Sequence, residues 1–150
     1  MAQSLAKNIV HLIFSTKNRE PLLTAQIRPD LHSYIGGILR EWDSPAILMN
    51  SVADHVHILF CLSKNHPLKK VVEEIKKGSS KWIKTKSKRY SDFHWQNGYG
   101  AFSVSESNCP RVKTYIANQE AHHRIRTFQD EFRAFLRRHR VEFDERYVWD

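Results

Sequence analysis

Long apolar runs, cysteines and acidic residues are all scarce in this sequence of 150 residues. The longest apolar segments, such as residues 58–62, are far too short to predict a membrane-spanning helix. Only two cysteines occur, which argues against a disulfide-rich secreted domain, and the N-terminal region lacks the apolar core of a signal peptide. We therefore expect a single reduced domain over residues 1–150, located in the cytoplasm.

The shortage of acidic residues leaves a strong positive charge. There are 24 Lys and Arg against 16 Asp and Glu, which gives a formal net charge of +8 at pH 7. Clustered basic side chains gain affinity for polyanions by releasing counterions from phosphates. The composition therefore favours a nucleic-acid partner, although many basic proteins are merely soluble.

Residues 52–60 predict a strand, because β-branched and aromatic residues dominate and neither Gly nor Pro interrupts them. Alternate side chains of a strand share a face, so His55 and His57 point the same way while Val56 and Ile58 point to the opposite side. Two imidazoles on one face of a rigid sheet can hold a divalent metal ion. An isolated His-x-His is more often a pair of partly exposed histidines, so the motif needs support from elsewhere in the chain.

Hydrophobic periodicity gives the order of the elements. Strands are predicted at residues 8–15, 46–53, 54–62 and 100–105, and amphipathic helices at residues 24–42, 68–86, 111–124 and from residue 127. This order, β-α-β-β-α-β followed by two helices, is the ferredoxin-like split arrangement. We predict an α+β fold with an antiparallel sheet, helices on one face and additional C-terminal helices.

The second predicted helix has a basic outer face, with ten Lys or Arg against two Glu between residues 64 and 89. Four aromatic residues lie just beyond it: Tyr90, Phe93, Trp95 and Tyr99. Rings among basic side chains suit single-stranded nucleic acid, whose bases stack on them, whereas the alternative is an ordinary solvated helix face. The candidate phosphate-binding residues are Lys69, Lys70, Lys76, Lys77, Lys81, Lys84 and Arg89.

The predicted helix over residues 111–124 carries Tyr115 and Gln119 four positions apart, on one face. His122 and His123 continue near that face, and we interpret them as favourable residues for a helix end rather than as DNA contacts. Asp54 could orient the imidazole of its neighbour in the strand. Strand alternation places Asp54 on the opposite face, which argues against that contact.

Together these motifs resemble the single-tyrosine HUH transposases of the insertion sequence 200/605 group, which move as single-stranded DNA. The resemblance covers nearly the whole chain and shows no departure at the two histidines, the tyrosine or the glutamine. It rests on residues 54–59 (Asp-His-Val-His-Ile-Leu), 95–105 (Trp-Gln-Asn-Gly-Tyr-Gly-Ala-Phe-Ser-Val-Ser) and 115–123 (Tyr-Ile-Ala-Asn-Gln-Glu-Ala-His-His).

The resemblance implies a role for each matching residue. His55 and His57 correspond to the two metal-binding histidines, Gln119 to a third ligand through its amide oxygen, and Tyr115 to the nucleophile. The metal would be Mg²⁺ or Mn²⁺, and the reaction would cleave and rejoin single-stranded DNA at hairpin ends through a 5′-phosphotyrosine intermediate. The resemblance also implies a homodimer in which the tyrosine helix serves the partner's histidines.

Two other classes of function remain open at this point. A non-catalytic nucleic-acid-binding module could share the same sheet, but the aromatic-rich strand pattern of RNA-recognition domains is absent from the sequence. A domesticated relative that processes repeated palindromes, or a nicking replication initiator, would need the same catalytic residues. The intact set His55, His57, Tyr115 and Gln119 argues against an inactive remnant.

Overall fold

The computed structural model describes residues 2–150 and contains a four-stranded antiparallel sheet in the order β2-β3-β1-β4. The strands are β1 (Asn8–Ser15), β2 (Ala46–Ser51), β3 (His55–Leu62) and β4 (Gly100–Val104). The helices are α1 (Arg28–Glu41), α2 (Leu68–Lys84), α3 (Cys109–Ala117), α4 (Gln119–His123) and α5 (Phe128–Arg138). This order confirms the predicted ferredoxin-like α+β arrangement.

Both faces of the sheet are covered. On one face, Val56 and Ile58 of β3 pack with Leu31 and Ile35 of α1 and with Ile75 of α2. The C-terminal helices cover the other face. There, β1 and β4 contribute Ile13 and Phe102, which pack against α5, and Ile9 packs near Ile116 of α3. Because β1 is apolar on both sides, its predicted central position in the sheet is confirmed.

The predicted helix over residues 111–124 is wrong as a single element. The chain forms α3 and then α4, separated by Asn118, whose backbone leaves the helical region at φ −99° and ψ 25°. The interruption matters because Gln119 begins a new helix directly after it. The second long helix, in contrast, continues through Gly78 and Ser79, and the Ser79 hydroxyl donates a hydrogen bond to the carbonyl of Ile75 within the same helix.

The C-terminal residues, which the sequence left undefined, pack against α5. Trp149 contacts Phe128 and Phe132 of that helix, and Arg133 of α5 forms an ion pair with Glu145. Within residues 2–150, none of the helices combines the length and apolar character needed to span a bilayer.

The close contact of β4 with α5 gives a stability prediction. A Cβ at Gly100 would lie 2.6 Å from Cε2 of Phe132, so Gly100→Ala forces the ring or the strand to move. We expect a loss of about 1–3 kcal/mol in the free energy of unfolding, measured by urea titration. Gly37→Ala is the matched control, because a Cβ there lies 3.7 Å from the Arg40 guanidinium and Ala gains about 0.5–1 kcal/mol within a helix. A Gly100→Ala protein as stable as the wild type would contradict this packing.

Candidate active site

The two histidines of β3 lie on the sheet face covered by α5, and both are fully buried. Their ring centroids are 5.2 Å apart. Val56 and Ile58 point into the other core, so the predicted alternation of β3 is confirmed. The strand therefore delivers two imidazoles side by side to an enclosed space.

The outer ring nitrogens of both histidines are held by neighbours. Nδ1 of His55 lies 2.7 Å from Oδ1 of Asp54, and Nδ1 of His57 lies 2.8 Å from Nε2 of His11. The expectation that Asp54 faces away is wrong, because β3 begins at His55 and strand alternation does not extend to the bend before it. These contacts fix the ring orientations and leave both Nε2 atoms directed to a shared centre.

That centre contains a carboxylate that the sequence analysis did not identify. Oε1 of Glu131, from α5, lies 3.0 Å from Nε2 of His57, 3.4 Å from Nε2 of His55 and 3.5 Å from Nε2 of His123. The Glu131 side chain is fully buried. A signal was present in the sequence, since this acidic residue sits within the otherwise apolar stripe that includes Phe128 and Phe132.

The pair that follows Gln119 also belongs to the site. His123 packs against His55 with ring centroids 4.3 Å apart, and His122 stacks on Tyr115 at 4.4 Å. His122 and His123 do end a helix, α4, as predicted, but their rings also pack against His55 and Tyr115. The break at Asn118 starts a separate short helix, and both rings lie within this cluster.

The structure brings Tyr115 to the histidine cluster of its own chain, and Gln119 lies against Tyr115. The Tyr115 hydroxyl donates a hydrogen bond to Oε2 of Glu131, and its ring centroid lies 6.0 Å from that of His57. Gln119 is buried, and its amide nitrogen donates to the Tyr115 carbonyl at 3.4 Å. Its amide oxygen is buried and has no hydrogen-bond partner among residues 2–150.

Burial and hydrogen bonding set opposite charge states within the cluster. Burial lowers the pKa of His57 to about 4, against the opposing effect of Glu131. Burial alone would raise the pKa of Glu131, but the close imidazoles of His123, His55 and His57 outweigh it and bring that pKa far below its ordinary range. Burial, with Glu131 alongside, raises the pKa of Tyr115. The site thus holds an ionised carboxylate next to a protonated phenol.

These donors fit a divalent metal ion. One ligand atom each from His55, His57, His123 and Glu131 lie within 4.8 Å of one another. The Nε2 atoms of His55 and His123, like the amide oxygen of Gln119, are buried without a well-formed hydrogen bond among the described residues. Buried polar atoms of this kind are costly unless they bind something.

The cluster gives a pH prediction for the metal-free protein. Histidine in an unfolded chain titrates near about 6.5, whereas burial lowers the pKa of His57 to about 4 and that of His11 well below its ordinary value. Between these pH values the unfolded chain binds protons that the folded chain does not, so stability falls as pH falls. We expect a loss of about 2–3 kcal/mol between about pH 6.5 and 4, measured by urea unfolding in EDTA.

The carboxylates of Asp54 and Glu131 raise the pKa of His55 against the effect of burial, and this raised pKa acts in the opposite direction and reduces the net loss. A His11→Phe variant lacks one buried imidazole and should lose less stability over the same range. A urea midpoint that does not change with pH in the wild type would contradict the prediction.

The basic surface of α2 lies on the far side of the sheet from this cluster, because α2 packs with Val56 and Ile58 rather than with the histidines. Lys70 is paired with Glu73 and Glu74. The Lys76 ammonium donates to three backbone carbonyls, those of residues 96–98. The exposed members of the predicted set are Lys69, Lys77, Lys81, Lys84 and Arg89.

The expectation that aromatic rings are interleaved with these charges is largely wrong. Tyr90, Phe93 and Trp95 are buried, where Phe93 and Trp95 pack edge to face and the Trp95 indole donates to Ser79. Only Tyr99 is exposed among the four predicted rings. The surface of α2 is therefore a set of cations rather than a stacking platform.

Comparison with known proteins agrees with this geometry. The ISDra2 transposase TnpA of Deinococcus radiodurans is 25% identical over 114 residues, which cover 73% of this chain and 81% of the relative. A candidate transposase from Deinococcus radiodurans has a similar crystal structure, with a TM-score of 0.62 at 23% identity over 79% of this chain and 98% of that one.

A REP-associated tyrosine transposase bound to a REP hairpin gives a TM-score of 0.61 at 17% identity, over 82% of this chain and 73% of that one. At these identities the two structures support the fold alone. The model of the family described as "Transposase IS200 like" matches residues 4–119, well over half of the sequence and all the elements from β1 to the start of α4. On that match, the chain belongs to the IS200-like transposase family.

Proposed function

We propose that this transposase cleaves and rejoins single-stranded DNA at hairpin ends, with Tyr115 as the nucleophile. One observation carries the proposal: the Tyr115 hydroxyl is hydrogen-bonded to the carboxylate that joins His55 and His57. A phenol placed against a cluster of metal-ligand side chains can attack a phosphate bound there. The relative solved with a REP hairpin supports hairpin ends as the substrate class.

We propose that a divalent ion, Mg²⁺ or Mn²⁺, is held by His55, His57 and Gln119, with Glu131 as a further oxygen donor. Carboxylate and amide oxygens suit these hard cations, and imidazole nitrogens are also accepted by Mn²⁺. When bound, the metal withdraws charge from a non-bridging phosphate oxygen and stabilises the transition state.

The two carboxylate oxygens of Glu131 have different partners, so one can bind the metal while the other contacts the Tyr115 hydroxyl. Oε1 faces the histidines, whereas Oε2 accepts the hydrogen bond from the Tyr115 hydroxyl. Because burial raises the pKa of Tyr115, the phenol is protonated at neutral pH and must lose its proton as it attacks. Glu131 Oε2 holds and orients the hydroxyl through this hydrogen bond, but the lowered pKa of Glu131 makes it a weak base for that proton.

The step then balances as a transesterification. The bond from the Tyr115 oxygen to phosphorus forms while the bond from phosphorus to the 3′ oxygen breaks, and the leaving 3′ oxygen takes up a proton. The product carries a 5′-phosphotyrosine and a free 3′-OH. Since the phosphodiester energy is retained, a second 3′-OH can reverse the step and join a different strand.

The test is formation of a covalent complex. Wild-type protein is incubated with labelled single-stranded hairpin ends and Mg²⁺ or Mn²⁺, then separated on a denaturing gel. A protein–DNA band that depends on metal supports the proposal. Binding without a covalent band under both metals would favour a non-catalytic nucleic-acid-binding module instead.

The homodimer remains a prediction. The contacts of Tyr115 within its own chain suggest whether each active site uses residues of one chain or of two. Tyr115 contacts the histidine cluster of its own chain, so we propose that one chain forms a complete site. A mixture of Tyr115→Phe and His57→Ala chains should then stay inactive, while light scattering reports the oligomeric state. Activity recovered in the mixture would show that the tyrosine serves a partner, as the family resemblance implied.

We further propose that the exposed cations of α2 hold DNA at a distance from the chemistry. They lie across the sheet from Tyr115, so they suit a hairpin stem or a flanking strand rather than the cleaved phosphate. Such contacts would contribute affinity that depends on salt and little on sequence. The cytoplasmic location expected from the sequence likewise remains a prediction.

A further inference from the structure

A cavity of about 350 Å³ opens directly beside Tyr115 and Glu131. Three arginines from different elements line it: Arg111 of α3, Arg126 of the loop after α4, and Arg138 at the end of α5. The remaining wall is formed by His11, Asn108, Val112, Ala134 and Phe135. The cavity therefore combines a nucleophile, three cations and an apolar floor.

The three arginines have no carboxylate partner among residues 2–150. Other arginines of the chain do form ion pairs, as Arg133 does with Glu145 and Arg146 with Asp144. The one carboxylate at the cavity, Glu131, is already engaged by the histidines and by Tyr115. The cavity consequently has positive charge that no described group of the protein neutralises.

The position of Arg126 ties this charge to the reacting hydroxyl. Arg126 favours the phenolate and lowers the pKa of Tyr115, against the larger effect of burial. The same side chain also lines a second pocket, next to His123 and Asp54. Arg126 therefore lies at both the cavity beside Tyr115 and the pocket beside His123.

We infer that this cavity is a phosphodiester-binding site for the single strand next to the cleaved bond, an inference that rests on the proposed function. Guanidinium groups bind phosphate oxygens through two parallel hydrogen bonds, so three arginines without carboxylate partners that line one cavity suit the phosphates of a strand. The volume lies at the small end of sites that hold one ligand, which fits a segment of single strand rather than a duplex.

The apolar wall adds a second reason to choose a strand over a free anion. Val112, Ala134 and Phe135 offer contacts to a sugar or base, which inorganic phosphate lacks. The cavity is also distinct from the α2 surface, because the sheet separates the two. The α2 cations are therefore remote from Tyr115, whereas the arginine-lined cavity adjoins it.

The test compares two double variants that change the charge equally. Arg111→Gln/Arg138→Gln removes two cavity cations, and Lys113→Gln/Arg137→Gln removes two exposed cations from the same helices, neither of which lines this cavity. Binding of an unstructured, fluorescently labelled single-stranded oligonucleotide is measured by anisotropy in EDTA at several salt concentrations.

We expect the cavity variant to bind about 10-fold more weakly, and its salt slope to fall by about 1.4, because each lost phosphate contact removes about 0.7 from the slope for single strands. The control variant should stay close to the wild type. Equal losses in both variants, or no loss in either, would overturn the assignment.

The covalent assay separates this inference from the proposed function. If the wild type forms no covalent complex while the difference in affinity persists, the cavity binds strands and the proposed chemistry is wrong. If the wild type does form the complex and the cavity variant binds and reacts as the wild type does, the chemistry stands and the cavity assignment is overturned. Thermal unfolding of each variant confirms that the fold is retained.

Discussion

Tyr115→Phe is expected to abolish covalent capture of DNA and to reduce cleavage by about 10⁴-fold or more, because the variant lacks the attacking oxygen. The ring remains, so its stacking on His122 and its contact with Phe135 are retained. Binding of single-stranded DNA should therefore change little. The measurement is a denaturing gel of labelled hairpin ends with Mg²⁺ or Mn²⁺, alongside anisotropy for affinity.

Tyr147→Phe is the matched control for this change. The same hydroxyl is deleted, but Tyr147 is 64% exposed and lies outside the histidine cluster. This variant should form the covalent complex at the wild-type rate. A covalent band that persists in Tyr115→Phe would show that another residue is the nucleophile and would end the catalytic assignment made here.

His57→Ala is expected to weaken Mn²⁺ binding by about 100-fold or more and to abolish cleavage, since it removes a nitrogen donor at the centre of the cluster. His57 is fully buried and its Nε2 lies 3.0 Å from Glu131. Calorimetric titration with Mn²⁺ measures the affinity without any turnover. His94→Ala, at an exposed position away from the site, should leave that affinity unchanged.

Glu131→Gln and Gln119→Ala then separate the two candidate oxygen donors. Loss of metal affinity in Gln119→Ala alone would support the ligand set implied by the family resemblance. Loss of metal affinity in Glu131→Gln alone would identify Glu131 as the oxygen ligand. Glu131 lies on α5, beyond the residues 4–119 that match the family. Wild-type Mn²⁺ affinity in His57→Ala would show that the cluster does not hold the metal.

Features that depend on residues close together in the chain could be predicted from the sequence, whereas contacts between distant elements could not. Strand alternation placed His55 and His57 on one face, because that pattern depends on residues two positions apart within one strand. Helical spacing predicted a shared face for Tyr115 and Gln119, but these residues lie in separate helices on either side of the break at Asn118. The prediction that Asp54 faces away from His55 was wrong because the same rule of strand alternation was applied too far along the chain. The alternation rule was extended one residue beyond the first residue of β3, where the backbone bends.

Errors at longer range have a different origin. The aromatic residues after α2 were predicted to be available for stacking, but Phe93 and Trp95 fill space between Phe14 and the helix. Nothing in the local sequence distinguishes a ring that packs inward from one that faces solvent. Burial was decided by the neighbours that the fold supplied.

The sequence by itself determined the order of the strands and main helices and the placement of His55 and His57 on one face of β3, because periodicity acts within one element. Only the tertiary structure decided that Glu131 joins His57, 74 positions away, with Tyr115 on its other oxygen. It also decided that the arginine-lined cavity adjoins the tyrosine while the α2 cations do not. These relations depend on which sheet face each helix covers, and that is fixed by the packing of the whole chain.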